Sequence, residues 1–207
     1  MVVHDNTRRR ATTRARLLDA AREVLAESGI QGATVEQICE RAGFTRGAFY
    51  SNYASKDELV VDLFNREKER MVDALREAVD TELRHGDLGS IAQVLERFTS
   101  VEPIDRTWFL VHQEFVIHAV RHRRIADVYV ELWEKTHEEF AEIIEMACEG
   151  LGRRLTIDLQ AATRLVLGLF DTSLRDTFVR DDAPVADLTI LQEQIPALVQ
   201  ALSEPTS

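Results

Sequence analysis

An all-α fold is the architecture this sequence predicts, and three features point to it. Apolar residues recur at the 3.6-residue helical period along most of the chain, and no run of alternating β-branched residues survives beside them. Breakers are sparse, four prolines and nine glycines in 207 residues. Helix-start signatures, a hydroxyl residue followed three positions later by Gln or Glu, stand at Thr34 with Gln37 and at Ser55 with Glu58. With 45% hydrophobic residues the chain can bury one large core or two small ones, which excludes disorder for most of it.

Met1 to Ala11 carries Arg8, Arg9 and Arg10 and no apolar face, so residues 1–10 are expected to form a mobile basic arm. Such an arm is either a solvated tail or a means of reaching phosphates and a narrow minor groove, and the two are compatible. From Thr13 to Ser28, Leu17, Ala21, Val24 and Leu25 make one stripe, and Gly29 stops the helix. Arg14, Arg16 and Arg22 on it read as mostly solvated charges, the first two near enough to the arm to meet phosphates. Thr34 opens a short helix in which Val35, Ile38 and Ala42 share a face, and Gly43 sits where a left-handed residue ends it. Thr45 caps a second short helix with Phe49 inward and Arg46, Gly47, Ala48 and Tyr50 outward. The pattern is a helix-turn-helix. A long helix then starts at Lys56, with Leu59, Leu63, Phe64, Met71, Leu75 and Val79 at helical spacing, and ends near His85 and Gly86. It is too long to serve the head alone and is expected to link the head to the remainder.

Further helices are expected from Asp87 to Ser100, broken before Pro103, from Asp105 to His122, from Arg124 to Glu149, from Thr156 to Arg180, and from Pro184 or Asp187 to Leu202. The stretch Ile157 to Phe178 is apolar almost all round, so it must be covered on two sides. The last helix carries a narrower seam. Leu165, Leu169, Leu174 and Phe178 with Leu188, Leu191, Ile195, Leu198 and Leu202 are therefore expected to form a homodimer interface; the alternative is that they complete the core of a monomer. Pro196 inside the seam predicts a kink or a restart.

No apolar run approaches the ~20 residues that span a bilayer, and the N-terminus lacks a signal-type segment, which predicts a soluble cytoplasmic protein with no membrane partner. Cys39 and Cys148, far apart and without CxxC spacing, read as buried thiols rather than a disulfide. The net charge of −11 is unevenly spread: residues 1–60 hold nine Lys or Arg against eight Asp or Glu, the rest sixteen against twenty-eight. An acidic body with a locally basic end can still bind DNA, because the relevant field is that of the surface facing the phosphates. No GxSxG, HExxH, P-loop or dinucleotide glycine pattern is present, so no catalytic residue and no cofactor are expected. His118 and His122, with His112 six residues before the first, have a spacing two metal ligands could use, but solvated histidines beside Arg121, Arg123 and Arg124 are the expected state, and no metal site is assigned.

The stretch from Ala11 to Met71 resembles the DNA-binding domain of the TetR (tetracycline-repressor-like) family of transcriptional regulators. The resemblance rests on the TRARLLDAAREVLAESG opening helix, Gly29-Ile30, Thr34, the RAGFTRGAFYSNY block and Ser55-Lys56-Asp57-Glu58-Leu59. Ala54 departs from it, since the family often has proline there. The resemblance implies a head over residues 11–71, with its motif at 34–53, and a helical regulatory and dimerisation body over 72–207. It implies a homodimeric, ligand-released repressor of a palindromic double-stranded operator, with no reaction catalysed. The other reading is a small helical enzyme or ligand-binding protein whose head is only structural. Thr34, Thr45, Tyr50, Tyr53 and Lys56 are the expected phosphate contacts, although the family counterpart of Tyr53 is usually an aromatic core residue. Arg46, with Gly47 and Ala48 permitting close approach, is the expected base reader. A pocket for a small apolar or amphipathic effector is expected among Phe64, Trp108, His112, Phe115, Trp133, His137, Phe140, Phe170 and Asp171. Its occupation would move the helix starting at Lys56 and tilt the head.

Overall fold

The computed structural model of the chain describes residues 2–84, 90–102, 104–180, 184–186 and 189–206, with the side chains of 2–7, 189 and 190 outside the description. Its helices are α1 (Val2–Gly32), α2 (Val35–Ala42), α3 (Arg46–Tyr50), α4 (Lys56–Arg84), α5 (Ile91–Val101), α6 (Arg106–Arg121), α7 (Arg123–Gly150), α8 (Leu159–Arg180) and α9 (Thr189–Ala201), and it has two three-residue strands, β1 (Arg153–Leu155) and β2 (Ser203–Pro205). The all-α expectation holds apart from that small sheet. The chain divides into two compact units, Met1–Glu67 with Thr107–Val130, and Lys68–Arg106 with Glu131–Ser207. The first unit takes most of α6, a helix expected in the body, and α4 and α7 supply residues to both units.

In the first unit α1 starts at Val2, so the expected mobile arm is helical. No glycine or proline interrupts residues 1–28, and arginine is a good helix former. The hydroxyls of Thr12 and Thr13 donate to the carbonyls of Arg8 and Arg9 one turn back, at 3.0 and 2.9 Å. Gly29 breaks α1 as expected, with φ 69° and ψ 167°. A side chain there is strained by the positive φ, and an added Cβ, 2.9 Å from a carboxylate oxygen of Glu114, would also make that carboxylate shift. Thr34 and Gln37 form the full capping box, and Gly43 ends α2 at φ 70°. Ser55 Oγ accepts from the Glu58 amide at 3.1 Å, while the Glu58 carboxylate accepts from the Ala54 amide at 2.6 Å. The departure at Ala54 thus has a use, because proline has no N–H to donate. Leu17, Leu25, Ile38, Phe49, Leu59 and Leu63 are all fully buried and form the centre of this unit. Each stabilises it by about 1.5–3 kcal/mol relative to an exposed side chain.

In the second unit, Cys148, Leu191, Ile195 and Val199 form a core against Ile91, Leu95, Ile144, Val166 and Phe170. β1 and β2 pair antiparallel, Arg153 opposite Pro205 and Leu155 opposite Ser203. Arg153 fastens the pair, Nε donating to Ser203 Oγ at 2.7 Å and Nη2 to the Ser203 carbonyl at 2.7 Å. Of the kink or restart expected at Pro196, the restart is not found: α9 runs through it as one helix. The expected helix ends near Gly86 and starts at Asp87 and Asp187 lie outside the described residues, as do Pro103 and Leu188. Among the described residues no helix is long and apolar enough to cross a membrane.

Candidate nucleic-acid interface and apolar cavity

The outward surface of the head is built from capped helix starts. Thr34 Oγ1 accepts from the Gln37 amide at 3.2 Å, and Thr45 Oγ1 accepts from the Ala48 amide at 3.2 Å, so both hydroxyls are fixed at exposed N-termini. Arg46, at the first position of α3, is exposed, and Tyr50 one turn on is 51% exposed with its ring edge-on to buried Phe49 at 5.3 Å. A Cβ on Gly47 would meet only the Thr45 hydroxyl, at an ordinary 3.7 Å. The fold therefore does not require glycine there, and the position is open to close approach from outside. Ala48 is half-buried; its carbonyl accepts from Ser51 Oγ and Asn52 Nδ2, each at 2.8 Å.

Two expected phosphate contacts are placed differently. Tyr53 is only 1% exposed, its hydroxyl donating to Asp62 Oδ2 at 2.6 Å, and Arg14 lies 4.6 Å over its ring. Burial and the Asp62 hydrogen bond push its phenol pKa up, so it stays a donor. It is a core residue, because the chain after α3 must turn inward to begin α4. Half-buried Lys56 donates from Nζ to the carbonyls of Ile30 and Ala33 at 2.6 and 2.7 Å, satisfying acceptors left open beyond the Gly29 break. Four arginines of α1 are likewise occupied with the head itself. Arg16 donates to the Ala42 carbonyl at 2.8 Å, Arg14 to Asp62 at 2.8 Å, Arg10 to the Ser51 carbonyl at 3.0 Å, and Arg22 to Glu67 at 2.9 Å. A cation at the carbonyl end of a helix or turn is favourably placed, which the one-dimensional pattern of exposed charges does not reveal.

Behind this surface, α6 supplies two contacts to the same unit. Glu114 Oε2 accepts from the Ile30 amide at 2.9 Å, and His118 Nε2 is 3.2 Å from Asp57 Oδ1 near the start of α4. His118 is buried rather than solvated, whereas His122, with its ring 4.4 Å away, is exposed. Among the described residues no group of three or more His, Cys, Asp or Glu is placed to hold a metal ion.

The expected effector pocket divides between the units. Phe64 stacks on Phe115 at 4.3 Å and on His112 at 5.6 Å, and Trp108 stacks on His112 at 5.1 Å; these four belong to an aromatic cluster of the first unit. In the second unit Trp133 packs on His137 at 4.8 Å, and half-buried Asp171 is paired with Arg175 one turn on. Phe140 and Phe170 both line one cavity. That cavity, wholly within the second unit, leaves about 90 Å³ for the centres of water-sized groups inside about 760 Å³ of atom-free space that includes its open side. One water needs about 10–15 Å³ on the former measure, so there is room for a larger occupant. Its wall comes from Met71, Leu75 and Val79 of α4, Val94 and Phe98 of α5, Ile144 and Cys148 of α7, and Ile195 and Val199 of α9. Burial pushes the Cys148 thiol pKa up, so it is a neutral, unreactive part of an apolar lining. Periodicity marks α4 and α9 as apolar on one face, but not which faces leave a gap when helices meet.

The expected dimer residues are also redistributed. Leu174, Phe178, Leu191 and Ile195 are buried within the chain's own second unit, because α8 and α9 first complete that unit's core. Leu169, Leu198 and Leu202 are half-buried. Leu165 is 49% exposed, Val179 is more exposed still, and a Cβ on Gly168 between them would touch nothing within 4 Å.

A profile for bacterial regulatory proteins of the tetR family matches residues 17–63. The chain is 29% identical over 119 residues to the HTH-type transcriptional repressor AcnR of Corynebacterium glutamicum, a match covering 54% of this chain and 63% of that protein. It thus spans somewhat under two thirds of that relative's length. It is 26% identical over 203 residues to the HTH-type transcriptional repressor KstR2 of Rhodococcus jostii, covering 97% of this chain and 96% of that one. Among solved structures it resembles the transcriptional regulator FadR of Bacillus subtilis in complex with stearoyl-CoA, with a TM-score of 0.69 at 19% identity over 89% of this chain and 96% of FadR. At that identity the likeness is one of fold.

Proposed function

Because this chain belongs to the TetR family of bacterial regulators, we propose that it is a homodimeric transcriptional repressor that binds a palindromic operator, catalyses no reaction, and is released by a small molecule with an apolar body. It acts in the cytoplasm. The observation that carries this reading is the outward face of α2 and α3, where two capped helix starts, an exposed arginine, an exposed tyrosine and an open glycine lie together. Hydroxyls and N-terminal amides set register on phosphates, and a guanidinium reads base edges. A helix as short as α3 reads few base pairs, so twofold pairing on half-sites about 34–36 Å apart is the economical way to reach specificity. The exposed edge of α8 around Leu165, Gly168 and Val179 is the surface we assign to that pairing, in place of the seam of α9. Leu165→Glu with Gly168→Glu is expected to yield monomers in sedimentation; a dimer persisting at micromolar concentration removes this interface.

The cavity supports an effector whose buried part carries no polar groups, for which an acyl chain such as that of the stearoyl-CoA bound to FadR has suitable chemistry. α4 supplies both cavity wall and head core, so displacement of Met71 or Leu75 has a continuous helix along which to act. A coupling of about 1–3 kcal/mol changes operator affinity some 5- to 150-fold. The test is selection of DNA fragments by the purified protein, followed by titration with a fluorescent fatty-acid analogue. Enrichment of a short palindrome, salt-sensitive binding, and release by the analogue are expected. Failure to enrich any duplex overturns the reading.

A further inference from the structure

We propose that Glu36 is a specificity-determining residue of the operator-binding surface, holding Arg46 for a guanine and penalising duplexes that lack one. The inference rests on the operator-binding reading above and names the residue that sharpens it. Glu36, in the first turn of α2, places Oε1 2.6 Å from Nη1 of Arg46 on α3, so the pair bridges the two helices of the motif across their outward side. Both side chains are more than half exposed, 61% for Arg46 and 56% for Glu36, so packing does not force them together. The Arg46 guanidinium also lies 5.9 Å from the Tyr50 ring. A hydrogen bond with Tyr50, and then the Glu36 charge, hold its pKa above the ordinary arginine value.

An exposed carboxylate on a surface that meets a polyanion is unfavourable for every duplex alike. Another exposed pairing in the head, Glu23 and Glu27 of α1 with Arg41 of α2, likewise joins two helices but involves no residue of α3. The Glu36–Arg46 pair instead lies on the face left open for DNA. A guanidinium has five N–H donors in a rigid fork, so occupation of one edge by a carboxylate leaves others for the O6 and N7 acceptors of guanine. With guanine opposite, the arginine is shared and the carboxylate remains neutralised. With another base opposite, the guanidinium has no bidentate partner, so bringing the Glu36–Arg46 pair out of water against the duplex goes uncompensated. Selectivity then comes from a repulsive element as much as from an attractive one.

The experiment compares the full-length wild type, Glu36→Gln, Arg46→Ala and the double variant on the selected operator and on operators with each G·C pair of one half-site replaced in turn. Glu36→Gln keeps size and hydrogen-bonding capacity at an exposed position, and a thermal melt checks that the fold is retained. Its affinity for the selected operator is expected to stay within about threefold of wild type, while its affinity for one substituted operator rises about tenfold, so that the preference at that pair is largely lost. In the Arg46→Ala background the same change is expected to leave base preference untouched. Equal strengthening on all duplexes, with preference intact, would reduce Glu36 to general repulsion and overturn the inference while leaving the operator reading in place. A shift in preference that survives in the Arg46→Ala background overturns it too. A wild-type protein that selects no duplex overturns both.

Discussion

The head and the body are both helical, but they treat polar groups in opposite ways. In the first unit nearly every helix end near the outward face is closed by a named side chain: Thr34, Thr45 and Ser55 at the starts, Arg16 on the Ala42 carbonyl and Lys56 on those of Ile30 and Ala33. In the second unit the cavity wall carries no ionised group, and the polar side chains of its helices lie elsewhere. A surface that must present fixed donors to a charged polymer needs its own backbone groups satisfied first. A space that admits an apolar occupant needs them absent.

The largest effect that can break this comparison comes from the head core. Phe49 is fully buried beneath α3, with Tyr50 and Tyr53 rings 5.3 and 5.8 Å away, and Phe49→Ala is expected to cost the first unit about 3–5 kcal/mol. Hydrogen exchange should show protection lost in α2 and α3 and kept in α8 and α9. Equal loss in all four helices would mean that the two units unfold as one. Next in size, Arg46→Ala is expected to weaken operator binding by about 1–3 kcal/mol and relax preference at one base pair, measured by gel shift on a substitution series. Lys56→Ala should act differently from a phosphate contact: because its ammonium holds Ile30 and Ala33, it should lower thermal stability together with binding.

What could be read from the sequence follows from how local each feature is. The breaks at Gly29 and Gly43, the capping box at Thr34 and the inward turn of Phe49 depend on residues within four positions of one another, and all are found. Tyr53 and Lys56 lie equally close to the motif but are positioned by Asp62 and by the carbonyls of Ile30 and Ala33, which periodicity does not bring together. The single pocket expected for the aromatic residues rests on the family resemblance, not on their spacing. Which of two cores each face enters is settled by long-range packing, so Phe64 and Phe115 stack in one unit while Phe140 and Phe170 border the cavity of the other. Leu174 and Leu191 show the same ambiguity, since an apolar seam has the same period whether a neighbouring helix or a second subunit covers it. Glu36 had a weak signal, an acid in the first turn of α2, where helix-dipole arguments already explain it.

A smaller effect sharpens the description of the cavity. Ala147 is half-buried and part of the lining, whereas Ala162 is fully buried in packed surroundings. Ala147→Phe can extend into free space and is expected to change stability by less than about 1.5 kcal/mol while abolishing the response to the fatty-acid analogue. Ala162→Phe has no space to enter and should cost about 1–3 kcal/mol. If both variants are destabilised alike and the parent protein shows no response, the cavity is closed in solution.

The smallest expected effect concerns pH. His137, buried in the second unit beside Trp133, has its pKa lowered first by burial and then by the charge of Arg164. The folded protein therefore holds it neutral at pH values where the unfolded chain has begun to protonate it, near an ordinary histidine value of about 6.5. Because the unfolded state binds the extra proton, stability falls as pH drops through that value and continues to fall until the depressed folded pKa is reached, below which the loss is complete. Above about pH 7.5 the group contributes no slope. His137→Gln removes the titration while keeping a polar side chain of similar reach, so its stability should be flatter than that of wild type between about pH 7 and pH 5. Denaturant melts across that range measure the difference. Parallel curves for the two proteins would show that His137 is solvated in both states. Arg164→Gln should reduce the wild-type slope only in part, since burial is the larger cause.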